Sequence, residues 1–382
     1  MVATPLTDAE VASWRERFPI LSTQTYLINN SLGAMPDTVP ASLQAFTDAW
    51  ATEGVEAWRT TWLPEVRRVA DLLGSLMGAP EGTVTVHQNV ASLMAIVVSG
   101  IDWGARDTVV ISEIDWPSHH HLLEQHRRSK VRVVDEPEGA IGIDADRFCA
   151  NIDERTALVV VSHVIFRTSA IVDVQKIIAR AREMGAVVLV DGYHAMGHMP
   201  VDVMSLGCDF YVGGSVKWLC GGPGVGYMYV SPGMRERWRP WMVGWLGHDD
   251  PFGFANEWEP APGALGWMGG TPSIPALYSA RAGYEIIAEV GTDRIRATHE
   301  VLTSHLVAAA RGHGFTVNSP LTVEHRAGGV TLSLGDRTAA AAERLIAEGI
   351  VVDYRPGGGI RVGAHFFNTI EELDRLIQAM RR

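Results

Sequence analysis

Between residues 65 and 230 the chain alternates two textures. Stretches with apolar residues three and four apart give way to short β-branched runs bounded by turn residues. The helical period predicts helices over 66–77, where Gly78 stops it, and over 92–98, 119–126 and 174–184. The β-branched runs predict strands over 83–87, 108–112, 131–134, 157–162, 186–190, 209–213 and 226–230. Several of these runs are apolar without interruption, the pattern of strands covered on both faces. Helices and strands in alternation make the architecture α/β, built on a large, mostly parallel sheet of the seven-stranded type. From 238 to 272 the period is lost in a loop rich in Trp, Pro and Gly, of a length that usually carries function or meets a partner. Helical spacing returns over 275–287 and 294–309, followed by strands over 329–334, 351–354 and 360–362 and a helix over 370–381. That is the texture of a smaller α+β domain. The expected organisation is an N-terminal segment, 1–30, packing near the small domain, then a large domain over 31–272 and the small domain over 273–382.

Composition narrows the classes. A chain of 382 residues that is 47% hydrophobic has enough material for a large core and two domains. Its 32 basic against 44 acidic residues give a net charge of −12 with no basic stripe, so nucleic acid and anionic lipid are not expected partners. The longest apolar stretches, such as 157–161 and 186–190, fall far below the roughly 20 residues that span a bilayer. The N-terminal residues include acids and lack the basic and apolar regions of a signal peptide, which predicts a cytoplasmic protein. Cys149, Cys208 and Cys220 have no metal-type spacing and are too few for a disulfide scaffold, consistent with a reducing compartment; no metal is expected. The 12 Trp either line an aromatic pocket or supply core area.

The chemistry concentrates in one window. Val187-Val-Leu-Val-Asp191-Gly-Tyr-His194 is followed by Asp209-Phe-Tyr-Val-Gly-Gly-Ser215-Val216-Lys217-Trp218 and a glycine-rich turn. Asp191 falls at the C-terminal end of a buried strand, the edge where open α/β sheets bind ligands. Lys217, at the end of another strand, can reach the same crevice. A buried acid and a buried lysine suit pyridoxal phosphate: the lysine forms a Schiff base, and the acid keeps the pyridine nitrogen protonated so that the ring accepts electrons. Singly, each is more often an ordinary strand-end Asp or a surface Lys; the ordered set shifts the balance. The helix opening at Asn89-Val90-Ala91-Ser92 offers backbone N–H groups for a phosphate, with Ser92 either adding its hydroxyl or capping the helix.

These residues resemble the fold-type I pyridoxal-phosphate enzymes of the class V aminotransferase group, and within it kynureninase. The likeness runs from Tyr26-Leu-Ile-Asn-Asn30-Ser-Leu-Gly33 to Ile360-Arg361-Val362. It implies Lys217 as the Schiff-base lysine, Asp191 as the pyridinium partner and His194 beside the pyridoxal 3′-oxygen. It further implies cofactor contacts from Asn89, Ala91, Ser92, His163, Thr168, Ser215 and Thr271, and a stacking role for Trp116. Asn30, His119, Trp245, His248 and Arg361 fall to the substrate, Arg361 gripping the α-carboxylate as a guanidinium can. The loop Gly269-Gly-Thr271-Pro272 would reach the neighbouring subunit, which implies a homodimer with shared active sites. The activity implied is cleavage of the Cβ–Cγ bond of kynurenine or a related aryl or acyl amino acid, giving alanine and a carboxylic acid, as in tryptophan catabolism.

Three departures keep other outcomes open. The Trp58 to Trp62 stretch lacks the histidine that the resemblance places near the substrate's aromatic ring. Val216 stands where kynureninases carry a Tyr before the lysine, and His119 stands where they carry an acid. A proton could instead come from His119, His120 or His248, since imidazole titrates near neutrality. The alternatives are a class V aminotransferase, a carbon–sulfur β-lyase or an epimerase, all sharing the cofactor and α-deprotonation. A lyase working through a protein persulfide needs a mobile, exposed cysteine, which Cys220 in its tight turn is not. A catalytically retired binding protein is disfavoured by the intact Asp191, His194, Lys217 and Arg361.

Overall fold

A computed structural model describes residues 3–382; the first two positions of the N-terminal segment lie outside the described residues. The apolar runs form a seven-stranded sheet in the order Val84–His87, Gly226–Val230, Phe210–Gly214, Val187–Asp191, Thr156–Ser162, Thr108–Ser112, Lys130–Val134. Only Gly226–Val230 runs antiparallel to its neighbours. Uninterrupted apolarity follows from two cores. Val159, Val161, Val188 and Val190 point into one, and Leu158, Val160, Val187 and Leu189, their alternate neighbours, into the other. Each such side chain contributes about 1.5–3 kcal/mol on burial, which locks the register. Register sets Ser162 beside Asp191 and Asp191 beside Val212 at the carboxyl edge of the sheet.

A second sheet of four antiparallel strands runs Asp353–Arg355, Gly359–Val362, Val330–Ser333, Thr316–Val317. The helices Thr292–Gly312, Thr338–Ala347 and Ile370–Met380 bury their apolar faces with it in a third core. The strand expected over 351–354 is two. Ile350–Val351 pairs in parallel with Thr25–Tyr26, while Asp353–Arg355 pairs antiparallel with Gly359–Val362. The N-terminal segment is also tied to this region by Arg15, which meets Glu372 at 2.9 Å. No helix among the described residues is long and apolar enough to cross a membrane.

Candidate active site

The carboxyl edge of the large sheet opens into a cleft of about 490 Å³, within the usual range for small-molecule sites. It is lined by, among others, Asn89, Ala91, Trp116, Asp191, His194 and Lys217. Half-buried Lys217 follows the strand Phe210–Gly214 and places Nζ 2.6 Å from His194 Nε2. The same nitrogen lies 4.2 Å above the Tyr193 ring and 5.4 Å from that of Trp116. Burial, against the pull of Asp191 and helped by Arg361 and Arg355, lowers the ammonium from its ordinary value to about 7. Burial and the neighbouring Lys217 push His194 far down, so its imidazole is neutral.

Asp191 ends its strand with Oδ1 accepting from the Tyr193 N–H at 2.7 Å. Its Oδ2 lies 3.0 Å from His119 Nε2, and His119 Nδ1 lies 3.3 Å from Asp115 Oδ1. Neither ring N–H is aligned as a hydrogen bond, so these contacts are ion pairs first. Burial alone would lower His119, but the contacts with Asp115 and Asp191 outweigh it and raise the imidazolium to about 10. A histidine that stays charged to that pH is a fixed cation at neutrality, and it is no longer free to hand a proton to a substrate.

The helix Val90–Ser99 aims its N-terminus at the cleft. Asn89, not Ser92, is its cap: Asn89 Oδ1 accepts from the Ser92 N–H at 2.9 Å and Asn89 O from the Leu93 N–H. The Val90 and Ala91 amides, which no helical carbonyl can reach, face the cleft and suit an anion. Gly226 permits the approach, since a Cβ there would lie 2.8 Å from the Asn89 carbonyl carbon.

The remaining residues singled out by the sequence are spread more widely. Buried Arg361 pairs through Nε and Nη2 with Asp353 and donates from Nη1 to Phe166 O at 2.9 Å, leaving one N–H on each terminal nitrogen uncommitted. His163 points to the opposite side of its strand end from Ser162 and Val164, which line the cleft, and meets Tyr211 Oη at 3.0 Å. Thr168 donates to Ile141 O, and Ser215 donates to Val225 O. Asn30 is buried without lining the cleft, and Thr271 is exposed on a loop facing His87 and Gln88. Trp245 belongs to an aromatic cluster with Trp58, Phe252 and Phe254. His248 is tied within that loop, one nitrogen 3.0 Å from Glu257 O and the other accepting from the Asp250 N–H. His120 sits 3.0 Å from Ser112 O. Asp115 and Tyr193 were not foreseen; the four-residue spacing of Asp115 and His119 was the available signal for the first, and nothing in the sequence marks the second.

An amine lowered to about 7, an acid at the strand edge, an aromatic face and an open helix N-terminus together define a fold-type I pyridoxal-phosphate enzyme. The group fits the residues present: Lys217 supplies its amine, Asp191 its carboxylate, Trp116 a ring face and the Val90 and Ala91 amides a phosphate cradle. The aminotransferase class-V family model matches residues 25–376, and the chain belongs to that family. An uncharacterized aminotransferase of Bacillus subtilis, YcbU, is 26% identical over 95% of each chain. A kynureninase of Xanthomonas oryzae pv. oryzae is 30% identical over 93% of this chain and 90% of its own. Among solved structures, the cystine C–S lyase C-DES, with glycine covalently linked to its PLP cofactor, superposes with a TM-score of 0.86 at 21% identity, covering 96% of this chain and 98% of that one.

Proposed function

We propose that this protein is a kynureninase-like hydrolase, homodimeric, that cleaves the Cβ–Cγ bond of an α-amino acid bearing an aryl or acyl γ-carbonyl. The observation that carries the reading is Lys217, an amine lowered to about 7 between His194 and two aromatic faces. When bound, pyridoxal phosphate supplies an electron sink for charge developing on the substrate. Lys217, largely neutral just above pH 7, takes the α-proton at Nζ. Arg361 binds the α-carboxylate through its two uncommitted N–H groups, with Asp353 holding the guanidinium plane. Trp116 lines one side of the cleft and offers the ring a stacking face. Cleavage breaks Cβ–Cγ; water gives its hydroxyl to Cγ and a hydrogen to Cβ, releasing a carboxylic acid and alanine.

An aryl substrate is supported by the rings of Trp116, Phe166 and Tyr193 that line the cleft and by the likeness to kynureninases. Desulfuration through a protein persulfide is unsupported, since none of the three free cysteines lines the cleft. The test is to mix the pyridoxal-phosphate-loaded protein with kynurenine and with 3-hydroxykynurenine. Anthranilate or its hydroxy analogue together with alanine is expected. A keto acid with pyridoxamine phosphate would identify an aminotransferase, release of pyruvate from cystine a β-lyase, and loss of chirality an epimerase; any of these in place of cleavage overturns the reading.

A further inference from the structure

One buried cation has no part in the proton transfers above. His119 is 1% exposed, in the first turn of the helix Pro117–Gln125, with a carboxylate at each ring nitrogen. Asp115, 3% exposed, is anchored in turn by the Trp116 N–H at 2.8 Å, the Ser162 N–H at 3.1 Å and the Ser162 hydroxyl. The arrangement draws on the turn after Thr108–Ser112, the following helix and the ends of two adjacent strands. The charged groups facing His119 are Asp115 and Asp191, and Asp191 in turn faces Lys217.

Charge balance shows what this cluster wants. Two carboxylates and one imidazolium leave a net charge of −1 beside the cleft. Buried charge is tolerated when paired, and a protonated ring nitrogen seated on Asp191 would complete the pairing. Without the imidazolium, Asp115 and Asp191 would share the site as like charges, and one of them would retain a proton. An acid holding a proton toward the ring favours the unprotonated nitrogen.

We propose that His119 is a positioning residue for the cofactor: an ion-paired bridge from Asp115 that orients the Asp191 carboxylate toward the cleft and balances the paired carboxylates' charge, so that the site selects the protonated ring. This rests on the pyridoxal-phosphate reading of the cleft. His119 acts through Asp191 and touches neither substrate nor reacting atoms.

The first measurement needs no variant. In histidine-¹⁵N-labelled protein at about pH 9, an ordinary imidazole is neutral, and one of the 14 histidines should still give an imidazolium signal, in both the cofactor-free and the loaded protein. Absence of that signal overturns the proposal. The second compares wild type, His119→Gln and Asp115→Asn. Both variants should weaken pyridoxal-phosphate binding, His119→Gln by on the order of tenfold, as when the partner behind a liganding group is lost. In the loaded protein the pH midpoint of the visible absorbance change should move in both. A His119→Gln protein with wild-type affinity and an unmoved midpoint refutes the bridge while leaving the cofactor reading intact. A wild-type protein that takes up no pyridoxal phosphate overturns the functional reading and the bridge together.

Discussion

Lys217 and His119 are displaced in opposite directions, and the opposition has a thermodynamic signature that needs no substrate. Burial brings the Lys217 ammonium from 10.5 to about 7, while Asp115 and Asp191, outweighing burial, bring His119 from 6.5 to about 10. In the unfolded chain both return to ordinary values. Across roughly pH 7.5 to 9.5 the unfolded chain therefore holds a proton on Lys217 that the folded, cofactor-free protein lacks, and it lacks the proton that folded His119 keeps. Each proton contributes about 1.4 kcal/mol per pH unit to the slope of stability. Lys217 costs stability below about pH 7 and the cost is relieved as pH rises toward 10.5; His119 adds stability that is full below 6.5 and lost as pH rises toward about 10. In the wild type the two slopes cancel. Lys217→Ala removes the rising one, so the variant should lose about 1.4 kcal/mol relative to wild type for each pH unit in this window. Urea midpoints multiplied by m, measured on cofactor-free protein at three pH values, give the differences. The buried thiols of Cys208 and Cys220, pushed up to about 12, lower stability above about pH 9 in both proteins and cancel on subtraction. A Lys217→Ala difference that stays flat with pH refutes the assignment of a neutral lysine in the folded site.

Two further substitutions probe the binding geometry. Gly226→Ala should weaken pyridoxal-phosphate binding by about ten- to a hundredfold, because the added carbon meets the Asn89 backbone and shifts the helix N-terminus; unchanged affinity in a fluorescence titration would place the phosphate elsewhere. Asp353→Asn keeps an acceptor but removes the charge holding Arg361, so KM for the amino acid should rise by about tenfold with a smaller change in kcat, and an unchanged KM would take Arg361 away from the carboxylate.

Local signals made the large sheet legible. The interior strands Thr156–Ser162 and Val187–Asp191 face two cores, so their runs are apolar up to the strand ends, and the strands of the sheet end within a residue or two of the prediction even at the partly exposed edge strand Lys130–Val134. Elements without that signature were missed. The helix Val39–Glu53 buries only Val39 and Ala49 and leaves Trp50 exposed, so no stripe marks it. Thr338–Ala347 buries Thr338, Ala341, Ala342 and Leu345 at helical spacing, but its run of four alanines leaves no apolar–polar contrast to mark that stripe in the sequence. The division at 350–355 was invisible for another reason: strand texture does not change when the partner strand changes, and the chain passes at Val352 from one sheet to another.

The same distinction governs the site. Asp191, Lys217 and Asn89 sit at ends of elements, and ends are what the sequence marks. His119 was read as a proton donor because an imidazole ordinarily titrates near neutrality, a property that belongs to the free side chain. Its role depends on strand order, which puts Thr108–Ser112 beside Thr156–Ser162 and that strand beside Val187–Asp191, closing Asp115 and Asp191 around one ring. Between two carboxylates the histidine becomes a standing positive charge, and the lysine, stripped of solvent and facing Arg361, becomes the group that exchanges protons near pH 7. Removing either carboxylate should therefore do more than weaken a contact: it should bring His119 back down toward its ordinary titration, so that the remaining carboxylate loses its standing counter-charge as the pH rises through neutrality.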